Sequence, residues 1–199
     1  TLIYFAISGE MSATIKSARI AAEDLKDNYD IRDVDTNTLS MAQGYMVLAA
    51  AEAAKQGAIV EDVIDAAKEI NTRTVLYVAL ATLKYLSMSG RVSHVTAGMA
   101  VMLNIKPILS VQHGKLDMLE KVRTRKKSRA RMIELRKEDI GSKAIERASI
   151  LHVKAGDAAK EYEAMLRGAV DCPTKMPVVD INPGLSVHTG AGLVGTCMV

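Results

Sequence analysis

The chain has 199 residues, of which 49% are hydrophobic and 25% charged, with a formal net charge of +3. That composition is globular and excludes a disordered chain; no run approaches the roughly 18 consecutive apolar residues of a membrane span, and the charge is modest for a dedicated nucleic-acid binder. The two cysteines, Cys172 and Cys197, fit neither a metal spacing nor a disulfide framework, so a reducing cytoplasm is the expected setting, with no metal and no cofactor.

Taken in order, Leu2-Ile-Tyr-Phe-Ala is apolar with β character, breaks at Ser8-Gly9, and resumes as an Ala-rich amphipathic pattern from Ser12 to Lys26. This is a strand, a tight turn and a helix start. Ser8 and Ser12 sit where hydroxyls and unpaired backbone N–H groups can converge on an anion. The pattern predicts that Ser12 holds the carboxylate of a bound ligand. The competing reading is that either serine only caps the helix, at about 1 kcal/mol. Thr1 opens directly into the strand without an initiating Met or a signal peptide, so the chain reads as the interior of a longer one.

Ile31 to Asp35 reads as a short strand and Asp35-Thr36-Asn37-Thr38 as a turn. Ser40 to Gln56 is almost uniformly Ala, Met, Val and Leu, a helix buried on most sides, with Gly57 as its stop. Val60, Val63, Ile64, Ala67 and Ile70 then recur at helical spacing with acids outside. Alternating strands and helices predict a layered α/β lobe with parallel strands.

Thr74 to Leu80 reads as a strand, Thr82 to Met88 as a helix ending at Ser89-Gly90-Arg91, and Val95 to Leu103 as an apolar helix. Pro107 makes Asn104 to Leu109 an edge strand or a strand start. Gln112-His113-Gly114-Lys115 is a turn between two short strands, hence a hairpin. The switch from alternating units to a hairpin predicts two lobes, 1–72 and 73–199.

Between Lys121 and Arg131 lie seven basic residues, among them Arg123, Arg125 and Lys127. They can bind phosphate or lie on a solvated helix face balanced by Glu134, Glu138 and Asp139. No aromatic residues interleave, so the stacking platform of a single-strand binder is absent. Arg147 to Val153 and Val178 to Ile181 read as strands, and Asp157 to Leu166 as a helix capped by Gly156 or Asp157. The ending, Val187-His188-Thr189-Gly190-Ala191-Gly192, is a Gly-rich turn into a final strand. His94, His113 and His152 are isolated and read as surface or satisfied core residues.

Taken together, these stretches resemble the DegV family of fatty-acid-binding proteins. The resemblance rests on Ser8-Gly-Glu-Met-Ser12-Ala-Thr14-Ile-Lys-Ser17-Ala18, on Asp35-Thr36 before Ser40-Met41, and on Leu83-Lys-Tyr-Leu86-Ser-Met-Ser89-Gly90-Arg91-Val92-Ser93. Leu103-Asn-Ile-Lys106-Pro107, Lys121-Val-Arg123-Thr-Arg-Lys-Lys127 and His188-Thr189-Gly190-Ala-Gly192 follow in the family's order. Departures are Ala13 and Ser89 at glycine positions, Ala191 at a proline position and Ile15 at an aromatic one; the family's upstream segment, with a carboxylate-binding threonine, is absent.

The resemblance implies a two-lobed α/β fold, a parallel-sheet lobe followed by a mixed-sheet lobe with a hairpin. It implies a non-catalytic protein that holds a long-chain fatty acid in an apolar tunnel, its carboxylate at the lobe junction. Ser12, His188, Arg91 and Ser8 would meet the carboxylate, with Thr14, Thr189, Gly190 and Gly192 as supporting loops. Arg123, Arg125 and Lys127 would meet a partner kinase that converts the acid to an acyl phosphate for phospholipid synthesis. No nucleic acid and no transmembrane segment are expected, though transient contact with a membrane surface is compatible with this role. Two alternatives stand beside it. One is a Ser12–His188 acyl hydrolase or transferase, against which Gly9-Glu-Met-Ser12-Ala lacks the spacing of a nucleophile elbow. The other is a nucleic-acid-binding regulator using the basic run.

Overall fold

The computed structural model describes residues 1–91, 105–141 and 143–199; the helix expected over 95–103 lies outside them. The chain divides into two compact units, Thr1–Thr74 with Val111–Lys115, and Val75–Ser110 with Leu116–Val199.

In the first unit, β1 (Leu2–Ala6), α1 (Thr14–Leu25) and β2 (Ile31–Asp35) form a βαβ crossover, followed by α2 (Ser40–Lys55) and α3 (Val60–Thr72). The strands pair in parallel, Leu2 opposite Ile31 through Ala6 opposite Asp35, as a crossover through a helix requires. On α3 the apolar stripe read from the sequence holds the buried residues Val63, Ala67 and Ile70, whereas α2, expected to be buried on most sides, buries one face only, Ala42, Tyr45, Met46 and Ala50, and leaves Val47 and Leu48 exposed. Turn chemistry locks the strand ends. The Asp35 carboxylate accepts from the Gly9 amide at 3.1 Å and from the Asn37 amide at 2.9 Å, and the buried Thr36 hydroxyl donates to the Ala6 carbonyl at 2.7 Å.

Apart from the hairpin tip 111–115, the second unit holds β3 (Val75–Ala79), α4 (Lys84–Met88), β4 (Lys106–Gln112), β5 (Lys115–Val122), α5 (Arg125–Ile140), β6 (Ala148–His152), α6 (Gly156–Arg167), β7 (Val178–Asp180), α7 (Pro183–Thr189) and β8 (Val194–Met198). The sheet order is β5-β4-β3-β8-β6-β7. β8 runs antiparallel to both β3 and β6, while β6 and β7 are parallel. This is the expected mixed sheet. Pro107 sits one residue into β4, which lies between β5 and β3, so it marks a strand start. The turn joining β4 to β5 places His113 and Gly114 at φ +49° and +78°, the pair of positive values a tight hairpin needs.

One sheet face packs Tyr77, Ile108, Ile150 and Met198 against Met132 of α5 and Tyr162 and Leu166 of α6. Tyr162, Leu166 and Ile150 are fully buried, and each such side chain stabilises the fold by roughly 1.5–3 kcal/mol. Arg136 lies inside this core, 1% exposed. Its guanidinium stacks on the Tyr77 ring at 4.6 Å and donates to the carbonyls of Thr196, at 3.1 Å, and Val75. Desolvation lowers its pKa. The Tyr77 hydroxyl donates in turn to Asp139 at 2.6 Å. Burial pushes the Cys197 thiol up to about 12, which makes it inert as a nucleophile.

Three further local expectations are corrected. The ending read as a Gly-rich turn from Val187 is, through Thr189, the helix α7. Its Asn182 side chain caps the Leu185 amide at 3.2 Å and Pro183 occupies the first turn, a pairing suited to a helix start. α6 begins at Gly156 with Ala155 as N-cap and no side-chain cap, so neither Gly156 nor Asp157 caps it. α1 begins at Thr14, which leaves Ser12 outside the helix.

Candidate functional site

In the first unit the turn after β1 brings Ser8 and Ser12 close in sequence but gives them different work. Ser8 is fully buried. Its hydroxyl donates to the Gly114 carbonyl at 2.6 Å and accepts from the Glu10 amide at 3.3 Å, so its proton is committed to holding the turn. Ser12 is only partly buried. Its oxygen lies 2.7 Å from the Thr14 hydroxyl and accepts from the Thr14 amide at 3.3 Å. When Thr14 donates within that pair, the Ser12 proton is free for an anion. The pair sits at the positive end of α1, where negative charge is favoured.

In the second unit His188 occupies the last turn of α7 and Arg91 follows α4. Desolvation lowers the His188 pKa and the nearby Arg91 charge lowers it further. The Arg91 guanidinium also donates to the Ser89 carbonyl at 3.1 Å. Thr189 donates to the Ser186 carbonyl at 3.4 Å. Gly190 has φ +74°, and a Cβ there would lie 2.2 Å from the Tyr85 ring; only glycine lets α7 seat on α4 in this way.

The His188 environment sets a pH dependence. A histidine whose folded pKa is depressed contributes stability above its unfolded value, about pH 6.5. That contribution is lost as pH falls through the folded pKa. The ligand-free protein is therefore expected to lose stability between pH 7 and pH 5, measured as urea midpoints. His188→Asn should flatten the curve over that window; an unchanged slope would show that other groups set it.

Arg123 and Arg125 flank Thr124, the N-cap of α5, whose side chain accepts from the Lys127 amide at 3.2 Å. Arg123, Arg125, Lys126 and Lys127 thus stand at the positive end of a helix, where the macrodipole opposes them. Further along α5, Arg131 meets Glu120, Glu134 and Glu138 at 2.8–3.0 Å, the balanced face expected of the basic run. Arg129 and Arg136 leave that face for the interior, which spacing alone did not reveal. Among the described residues no group of His, Cys, Asp and Glu could hold a metal ion, and no helix is long and apolar enough to cross a membrane.

The family profile described as "Uncharacterised protein, DegV family" matches residues 1–199. The chain belongs to the DegV family. A DegV domain-containing protein of Streptomyces coelicolor is 34% identical over 189 residues, which cover 95% of this chain and 66% of that relative. The DegV family protein of Corynebacterium glutamicum superposes with a TM-score of 0.90 at 33% identity, covering 99% of this chain and 74% of that one. The Bacillus subtilis structure described as DegV, a fatty acid binding protein, gives 0.82 at 30% identity, covering 99% and 70%. The fold is accordingly that of DegV structures, and this chain spans about two thirds of the length of the Streptomyces relative.

Proposed function

We propose that this chain binds a long-chain fatty acid in an apolar tunnel and presents its carboxylate to a partner kinase for conversion to an acyl phosphate. The groups proposed for the carboxylate are Ser12, His188 and Arg91. Ser8 acts behind them by holding the turn, and Thr14, Thr189, Gly190 and Gly192 support the loops. The observation that carries the reading is the Ser12–Thr14 hydroxyl pair at the start of α1. It offers a proton to a carboxylate, and the hydroxyl beside Ser12 is no base, which favours binding over nucleophilic attack. The description of the Bacillus subtilis relative as fatty acid binding supports the same ligand.

The energetics suit it. Each buried methylene contributes about 0.8 kcal/mol, so the acyl chain supplies affinity and the polar groups fix the head. Arg123, Arg125 and Lys127 offer the unbalanced cations that a nucleotide-bearing partner would use. The role requires no metal or cofactor of its own and is assigned to the cytoplasm.

Denaturing extraction and mass spectrometry of the purified protein should release one fatty acid per chain. A protein that stays empty after incubation with fatty acids of many lengths would overturn the reading.

A further inference from the structure

Within the first unit, Asp35 ends β2 and is partly buried. Its nearest acidic neighbours in sequence, Asp30 and Asp33, are each met by an arginine at 2.7 Å. Asp35 makes no ion pair among the described residues. Its oxygens accept instead from backbone amides, Gly9 at 3.1 and 3.2 Å and Asn37 at 2.9 Å. An amide bonded to a carboxylate is held about twice as strongly as one bonded to a neutral acceptor. The charge of Asp35 is thus directed at the turn that leads to Ser12.

The peptide that Asp35 holds is the one that holds Ser12. The Gly9 N–H and the Ser8 carbonyl belong to a single planar unit, so fixing one end fixes the direction of the other. That carbonyl accepts from the Met11 and Ser12 amides, each at 3.0 Å. Ser12 precedes Thr14, the first residue of α1, so the helix ladder does not place its amide. The charged acceptor also polarises the peptide and strengthens the bonds on its carbonyl side by about 10–30%. Glycine permits the approach: a Cβ at Gly9 would stand 2.7 Å from Asp35 Oδ2 and 3.2 Å from the buried Ile15 side chain. Two links therefore run from the end of β2 to the Ser12 backbone, Asp35 to Gly9 and Ser8 to Ser12.

We propose that Asp35 is a positioning residue for the fatty-acid carboxylate: it sets the Ser8–Gly9 peptide, which sets the Ser12 amide and with it the direction in which the Ser12 hydroxyl is offered. The proposal rests on the fatty-acid reading for its ligand, but not for the link between Asp35 and Ser12. A loop already held in its binding form gives up less conformational freedom when the ligand arrives, and affinity gains by that amount. In this role Asp35 acts through Ser12 and need not touch the ligand.

Two measurements on the whole chain test it. Asp35→Asn keeps the shape of the side chain and one acceptor oxygen, so the fold should survive it; Asp35→Ala removes both. In the ligand-free protein, hydrogen exchange should quicken at the Met11 and Ser12 amides in Asp35→Asn, and more in Asp35→Ala, while the amides of α3 in the same unit keep their parent rates. Palmitate affinity should fall about tenfold in Asp35→Asn, the low end for loss of a charged hydrogen bond. The same change made in the Ser12→Ala chain should cost nothing further, because a residue that acts through another is not additive with it. An equal loss in both backgrounds would make Asp35 a general support of the fold and overturn the proposal, as would unchanged exchange at Met11 and Ser12. If palmitate failed to bind the parent chain, the fatty-acid reading would fall, and the exchange rates alone would decide whether Asp35 places Ser12.

Discussion

Gly195→Ala is expected to destabilise the protein by about 3 kcal/mol, the upper end of what overpacking a core costs. Gly195 lies in β8, opposite Val78 of β3 on one side and Leu151 of β6 on the other. A Cβ built there falls 2.4 Å from the Tyr77 carbonyl oxygen and 2.9 Å from the Val78 Cα. Both atoms are backbone in a strand held on its other edge by β4, so no side chain can swing aside. The only relief is separation of β3 from β8 in the middle of the sheet, with loss of ladder hydrogen bonds. Chemical denaturation should show the midpoint moving down with an unchanged slope. A midpoint within experimental error of the parent would mean that the strands can part without cost, and that the tight approach is not what fixes the sheet.

Ser12→Ala is the second large effect, on binding and not on stability. If Ser12 donates to a fatty-acid carboxylate, its removal leaves a charged acceptor short of a hydrogen bond at a cost of about 1.5–3 kcal/mol, or roughly 10- to 150-fold in affinity. The fold should be little disturbed. Ala13 is the N-cap of α1, and Ser12 contributes only two exposed contacts to Thr14, the 2.7 Å hydroxyl pair and a 3.3 Å acceptor for the Thr14 amide. Fatty-acid retention and the urea midpoint should therefore separate: retention collapses while the midpoint shifts by about 1 kcal/mol at most. Unaltered retention would remove Ser12 from the carboxylate set. Loss of ester turnover with lipid retention intact would point instead to a nucleophile.

The elements that periodicity and turn residues define were legible from the residues. β2 spans the same residues in sequence and structure, α2 ends one residue before its expected limit, and the His113-Gly114 turn joins the strands it was read to join. What escaped was encoded outside those signals. α7 was hidden by the glycines behind it, although Asn182-Pro183 is a capping signal that a closer look at single positions finds. Arg129 and Arg136 carry the same charge as their exposed neighbours, so no period in a basic run tells which of them the core will take. Their burial follows from carbonyls supplied by β3, β8 and α6. Ser8 is the clearest case, for its partner Gly114 lies 106 residues away, beyond the reach of any local pattern. The order of the family's motifs carried the candidate site, but not the distinction between a serine that holds a turn and one with a proton to offer.

That long-range partner has a consequence for how the protein is made. Residues 111–115 belong to the first unit, so the ribosome finishes residues 1–74 well before the piece that completes them exists. Until Gly114 emerges, the Ser8 hydroxyl lacks this acceptor and the loop carrying Ser12 is held only by its contacts to Asp35 and Thr38. The opening lobe of the nascent chain must wait, partly formed, while the first strands of the second are synthesised. Ligand competence would then arrive late in translation, once the hairpin tip has closed a loop of more than a hundred residues.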